Sequence, residues 1–275
     1  MHERIITMRS VLLALILVGC AASDPGDGAP SATGPTDDTP VVPDAICDGA
    51  PGAPRVLVFS RENLWSHASA PVARQTFLEL CRSHGFGVVA SSDPRIFNDR
   101  LPTTDVVVFG VTSGEVLDDP ARAALEEWVR SGGGVIGIHS ASATELSWPF
   151  FTQVIGAQFR GHGDRFAGRL MFENRAHPVL ASSVRVPAMV RDDEWYTFWT
   201  RPEESGVIVL MSLDERTMPA AYPHDLRVGY HAISWVHEPF GAHVFYTSLG
   251  HFPETYAEPW FRDMLVDAVR WAARW

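Results

Sequence analysis

From Arg55 onward, short runs of β-branched and aromatic residues alternate with stretches whose apolar positions repeat at helical spacing. Val56-Leu57-Val58-Phe59 is apolar at every position, the pattern of a strand covered on both faces, as in a parallel sheet. Ala73, Phe77, Leu80, Cys81 and His84 then share one helical face, Gly85 stops the helix, and Val88-Val89-Ala90 follows, which makes a βαβ unit. Asp105-Val106-Val107-Val108-Phe109 predicts a third strand. The next helix starts at Asp119-Pro120, where Asp caps and Pro suits the first turn, and it groups Ala121, Ala124, Leu125, Trp128 and Val129. Gly132-Gly133-Gly134 ends that helix before a fourth strand, Val135-Ile136-Gly137-Ile138.

Beyond this point the pattern changes. Arg165 to Glu173, Ser183 to Val190, Val207 to Ser212, Tyr230 to Val236 and His243 to Leu249 predict strands with no long helix between them. The last two flank His237-Glu238-Pro239-Phe240-Gly241-Ala242, a hairpin-length turn. A closing helix from Pro259 to Trp275 collects Phe261, Met264, Leu265, Ala268, Val269 and Ala272 for docking on the sheet. The predicted fold is α/β, a three-layer, doubly wound, flavodoxin-like domain over 55–275. Its sheet is mainly parallel at first and antiparallel or mixed in the second half.

The N-terminus follows different rules. Arg4 and Arg9 precede an apolar stretch, Val11 to Val18, that is too short to span a bilayer as a helix. It reads as a signal peptide over 1–19, and Leu17-Val18-Gly19-Cys20 resembles the lipobox of bacterial lipoproteins, which makes Cys20 the lipidation site. The segment 20–54 is rich in Ala, Gly, Pro, Asp, Ser and Thr and has little to bury, so it is expected to be a disordered tether. A protein so anchored would sit in the cell envelope, facing the periplasm or the exterior. With Cys20 acylated, Cys47 and Cys81 either pair in an oxidising compartment or stay apart as one exposed and one buried thiol.

All 22 basic residues are arginines, and the net charge is -11. That charge repels phosphate, and no basic run offsets it, so a nucleic-acid partner is not expected.

In a doubly wound sheet, ligands collect beyond the carboxyl ends of the strands. The loops there carry Arg61, Trp65 and His67 after the first strand and His139-Ser140 after the fourth. Further along lie Arg160-Gly161-His162, His177-Pro178, Asp192-Asp193-Glu194-Trp195-Tyr196 and Ser248-Leu249-Gly250-His251. These segments, with Gly132 to Ala141, Val244 to His251 and Trp271-Ala272, resemble the ThuA-like (trehalose utilisation) family over the whole predicted domain. The resemblance implies the class I glutamine amidotransferase-like fold and a carbohydrate substrate.

Amide transfer itself is not expected. Those enzymes use cysteine at a strand-to-helix elbow, whereas Gly137-Ile138-His139-Ser140-Ala141 puts His139 there. Ser140 also lacks the Gly-x-Ser-x-Gly spacing of a hydrolase nucleophile. What remains is histidine and carboxylate chemistry, with His139, Glu194, His251 and His67 as candidate catalytic groups. His162, Arg61, Ser140, Trp65 and Tyr196 are candidates for binding substrate, with Arg160 as a further cation. A divalent metal such as zinc is an open alternative, held by His67, His139 and His251; His177 reads as a structural turn residue. The leading function is a lyase or hydrolase acting on a glycoside or keto-sugar. The alternatives are a non-catalytic carbohydrate-binding or envelope-interaction lipoprotein and, weighed against by five polar loops on one sheet edge, a purely structural domain.

Overall fold

Alternation along the central strands decides the layers, because successive side chains of a strand point to opposite faces. Val56 and Val58 of β2 (Arg55–Phe59), Val106 and Val108 of β4 (Val106–Gly110) and Ile136 and Ile138 of β5 (Gly134–Ile138) enter one buried cluster. Leu57, Phe59, Val107, Phe109 and Val135 enter the other. Both clusters are built from residues with almost no exposure, so the sheet is the middle layer of three.

The structure, a computed structural model, describes residues 41–275. The expected signal peptide and the lipidation site Cys20 lie outside the described residues. The first two elements in chain order are β1 (Ala45–Cys47) and β2, followed by α1 (Ser69–His84), β3 (Gly87–Ser91), α2 (Ile96–Arg100), β4, α3 (Asp119–Arg130), β5 and α4 (Pro149–Ile155). Then come β6 (Phe159–Gly161), β7 (Phe166–Phe172), α5 (Pro178–Ala181), β8 (Ala188–Asp193), β9 (Thr197–Phe198), β10 (Ile208–Asp214), β11 (His231–His237), β12 (Val244–Thr247) and α6 (Pro259–Ala272).

The main sheet has ten strands in the order β1-β3-β2-β4-β5-β12-β11-β10-β7-β8, and β6 pairs with β9 apart from it. β3, β2, β4, β5 and β12 run parallel. Antiparallel strands extend the sheet on both sides, β1 against β3 and, beyond β12, β11, β10, β7 and β8. This is the doubly wound arrangement with an antiparallel second half. α1 and α6 supply the first cluster, and α3 and α4 the second.

Local chemistry sets the ends of the elements. Gly85, at φ 84°, closes α1 with its N–H on the Cys81 carbonyl. The Asp118 side chain, one residue before the expected cap, accepts from the Ala121 N–H to start α3. At Gly134 a Cβ would lie 2.4 Å from the Ala272 carbonyl oxygen, so glycine is what lets α6 close on β5.

Two expectations are corrected. The segment expected to be a tether up to Pro54 belongs to the domain in its last ten residues. There Ala45–Cys47 pairs with Val88–Ala90, and Cys47 forms a disulfide with Cys81. Composition hid this, because a three-residue edge strand held by a covalent link needs little apolar surface of its own. The strand expected over Ser183 to Val190 runs instead over Ala188–Asp193, in register with β7, with Ser183 in the turn after α5.

Candidate functional site

β5 ends at Ile138, and the chain turns at His139 with φ 52°, a left-handed conformation that costs a non-glycine residue about 1–3 kcal/mol and recurs at functional sites. The turn leaves the His139 ring fully buried, with Nδ1 donating to the Ser248 carbonyl at 2.8 Å. A ring nitrogen that donates to a carbonyl fixes the tautomer, so Nε2 presents a lone pair, and the Tyr196 hydroxyl donates to it at 2.7 Å. Burial, then the neighbouring His67 and His251, push the His139 imidazolium well below the usual histidine range, so the ring is neutral at pH 7.

Three further segments meet this ring. His251, four residues beyond β12, brings Nδ1 to 3.3 Å from His139 Nε2 and 3.1 Å from Glu194 Oε2. Glu194, directly after β8, also has Oε2 3.6 Å from His139 Nε2 and 3.5 Å from His162 Nε2. Burial raises the Glu194 carboxyl, but the hydrogen bond from His251 and the charges of His162, His251 and His67 outweigh it, and the group is held below its ordinary value. His67 stands edge-on to both other rings, with centroids 4.9 Å from His139 and 5.7 Å from His251.

The ligand atoms of His67, His139 and His251 lie within 4.8 Å of one another. Glu62 Oε1 receives His67 twice, from the backbone N–H at 2.9 Å and from Nδ1 at 2.6 Å, and thereby orients that ring. An imidazole whose second nitrogen is held by a carboxylate or a carbonyl is the arrangement found behind metal-ligating histidines, and His67 and His139 both have it. The donor set therefore fits a divalent cation that accepts nitrogen ligands.

Of the residues singled out in the sequence, His67, His139, His162, Glu194, Tyr196 and His251 come together. Trp65 lies at their margin, its ring 5.5 Å from Phe159, which in turn packs 4.4 Å from Tyr196. His162 and His251 keep partial exposure while His139 has none, so the cluster is reached from the side of those two rings. Ser140 is wholly buried next to His139. Arg61 is buried and donates to the Ser92 carbonyl, and Arg160 is bonded to Asp225. His177 caps α5, its Nδ1 accepting from the Val179 N–H, the structural role expected of it.

Two contributing groups, Glu62 and Phe159, were not singled out in the sequence, and Asp193 stood in the 192–196 segment without a role in catalysis or binding. Glu62 sits five residues before His67, and its spacing alone carries no signal. Phe159 supplies part of the aromatic wall. Asp193 is fully buried beside Arg191, and burial outweighs that arginine to push its carboxyl up to about 6, while its Oδ1 accepts the Glu194 N–H. The carboxyl of Asp193 thus shapes the backbone at Glu194.

Comparison with known proteins bears on this assembly as follows. The family model for ThuA, trehalose utilisation, matches residues 55–272. A ThuA-like protein from Bacteroides uniformis has a similar structure at 23% identity and a TM-score of 0.66, covering 81% of this chain and 93% of that one. Another, from Parabacteroides merdae, does so at 19% identity and 0.63, covering 80% and 90%. A cytoplasmic protein from Salmonella typhimurium is more distant, at 13% identity and 0.52, with 78% and 98% covered. No curated protein matches. At these identities the solved structures establish the fold alone.

Proposed function

The chain belongs to the ThuA, trehalose utilisation, family, and from that premise we propose an enzyme of carbohydrate metabolism that acts on a glycoside or keto-sugar by histidine and carboxylate acid-base chemistry. The observation that carries the proposal is the meeting of His139 Nε2, His251 Nδ1, Glu194 Oε2 and the Tyr196 hydroxyl, delivered by three separate segments and spaced at 2.7 to 3.6 Å. The neutral imidazole of His139, the His251 ring and the carboxylate of Glu194 stand at distances over which protons can be taken and returned.

In an elimination from a keto-sugar, the C–H bond next to the carbonyl breaks and its proton passes to the carboxylate of Glu194. The electron pair forms the new double bond, and the glycosidic C–O bond breaks. The departing oxygen takes a proton from the imidazolium form of His251, which the step leaves as the neutral imidazole while Glu194 holds the proton taken from carbon. His139 holds the Tyr196 hydroxyl against the same space, and Trp65 and Phe159 offer an apolar wall for a sugar ring. As an alternative to these roles, His67, His139 and His251 would hold a divalent cation such as zinc, which would take the His139 lone pair in place of the Tyr196 hydroxyl and supply Lewis-acid polarisation of the substrate carbonyl in place of proton donation by His251.

The test is turnover of the full chain on trehalose, other glycosides and their keto counterparts, compared with His139→Ala and Glu194→Gln. Each variant should lose at least about 100-fold in rate with the fold intact by circular dichroism. Full activity in both would overturn the proposal.

The same reading places the domain outside the cytoplasm, anchored to a bilayer through Cys20. The Cys47–Cys81 disulfide supports an oxidising compartment. Palmitate labelling and membrane fractionation test it, and a chain that remained in the membrane fraction after Cys20→Ala would refute the anchor.

A further inference from the structure

Behind the cluster, and outside everything assigned to it so far, lies a second buried histidine. His231 opens β11 opposite Leu213 of β10 and is 1% exposed. Its Nε2 is 3.0 Å from the Tyr196 carbonyl oxygen, and its Nδ1 is 2.9 Å from Glu215 Oε1. Glu215 stands in the turn after β10 and receives the Val228 N–H at 2.6 Å and the Gly229 N–H at 2.9 Å, while Arg227 Nη1 reaches its backbone carbonyl at 3.3 Å.

Both partners of the His231 ring are therefore acceptors. A carbonyl oxygen cannot donate, so Nε2 carries a proton. The space between Nδ1 and a carboxylate oxygen at 2.9 Å must also hold a proton, because two lone pairs would otherwise face each other in a buried setting. That proton belongs to the ring, since Glu215 already receives two backbone N–H groups, as an ionised carboxylate does.

We propose that His231 is held as a doubly protonated imidazolium by Glu215 and acts as a positioning residue, fixing the Tyr196 backbone so that the phenol meets His139 Nε2. The chain of contacts runs from the Glu215 carboxylate through the His231 ring to the Tyr196 carbonyl, and from the Tyr196 hydroxyl to His139. It gives the acid-base cluster a charged support on a strand that contributes no reacting group. Burial pushes Glu215 up, but the hydrogen bond from His231 and those from Val228 and Gly229 more than offset this and leave its carboxyl below the ordinary value, in keeping with an ion pair. The importance of Tyr196 rests on the function proposed above, whereas the protonation of His231 does not.

Nitrogen-15 NMR of the labelled full chain at pH 7 reads both parts. The wild type should show two ring N–H correlations for His231, assigned by their loss in His231→Gln. A single correlation would overturn the imidazolium with no variant needed. Glu215→Gln should remove the Nδ1 proton and move the His139 Nε2 resonance, because the Tyr196 hydroxyl shifts against it. An unmoved His139 signal would overturn the positioning role. Where turnover is measurable, Glu215→Gln should lower kcat about tenfold with KM within about twofold, and an unchanged kcat would also count against positioning. If the wild type turns over no sugar, the acid-base proposal fails while the NMR signals still decide this one.

Discussion

Reducing the Cys47–Cys81 disulfide removes no atom from the core and so isolates the effect of the cross-link. The bridge spans 34 residues of sequence, and its Cα atoms lie 6.4 Å apart. In the chain-entropy treatment, closing a loop of that length restricts the unfolded ensemble by an amount worth about 4 kcal/mol at 25 °C. On the native side the opposing contacts are local. β1 has three residues and pairs along Ala45–Cys47 at the sheet edge, and its flanks are held by the Val42 N–H on Ser92 Oγ, Arg74 on the Pro43 carbonyl, the Ala50 N–H on the Gly85 carbonyl and the close approach of Gly49 to Gly87. If β1 frays on reduction, the bonds it makes to β3 are lost as well.

For a domain of this size about 1 kcal/mol corresponds to roughly 2–4 °C, so the melting temperature should fall by about 8–15 °C. The assay is urea unfolding of oxidised and reduced protein, with the slope compared as well as the midpoint. A fall of less than about 1 kcal/mol at unchanged slope would refute the reasoning, because it would mean that the unfolded chain is restricted without the bridge. The histidine cluster lies beyond the carboxyl ends of the central strands, away from β1, and its NMR signals should stay in place on reduction.

Cobalt or zinc titration of the full chain should find one strong site, weakened at least about tenfold by His67→Ala, His139→Ala or His251→Ala and comparably by Glu62→Gln, which frees the His67 ring to turn; unaltered affinity in His139→Ala would move the site elsewhere. His237 is buried, its Nε2 donates to the Val154 carbonyl, and burial carries its imidazolium down to about 4. The unfolded chain therefore binds a proton that the native chain refuses between about pH 6.5 and 4, so stability is full above that window and is lost as the pH falls through it, by about 3 kcal/mol in all. His237→Gln keeps a donor and should flatten the acid side of the stability curve, while Asp193, raised to about 6, works in the opposite direction in both proteins; parallel curves for wild type and variant would contradict this. Gly134→Ala should cost about 1–3 kcal/mol, as the new methyl forces α6 off β5, and a neutral substitution in thermal unfolding would show that the close contact is not sustained.

Much of the sheet was legible because each buried strand carries its own signature. The apolar runs at Val56, Val106 and Val135 needed no tertiary information, and Gly85 and Gly132 marked the ends of helices by local geometry. β6 and β9 had no such signature. They are two or three residues long, and they form because Tyr196 and Phe198 are drawn into the core against Trp235 and Tyr246. β1 is the same case with a disulfide in place of apolar burial. The histidines of the cluster could be singled out because they follow strands, and strand ends converge in this topology. Their supports could not, since Glu62, the Ser248 carbonyl and His231 matter only through distances of 2.6 to 3.0 Å set by the finished fold.

The strand-to-helix elbow links the fold to the chemistry. Where a cysteine would make this turn a nucleophile, the residue here is His139, still at positive φ and still at the tip of β5. A strained turn exposes a thiol to an incoming carbonyl, but His139 is wholly buried and both of its nitrogens are engaged, one by Ser248 and the other by Tyr196. The strain is thus spent on holding a neutral imidazole in one tautomer and one direction. A group so fixed suits proton exchange with the Tyr196 hydroxyl it already holds, or cation binding in place of that hydroxyl, since both use the same aimed lone pair. It follows that His139→Cys, which restores the nucleophile's side chain at the same turn, should not create amide transfer, because Glu194 and His251 would still surround the sulfur where an acyl group would have to bind.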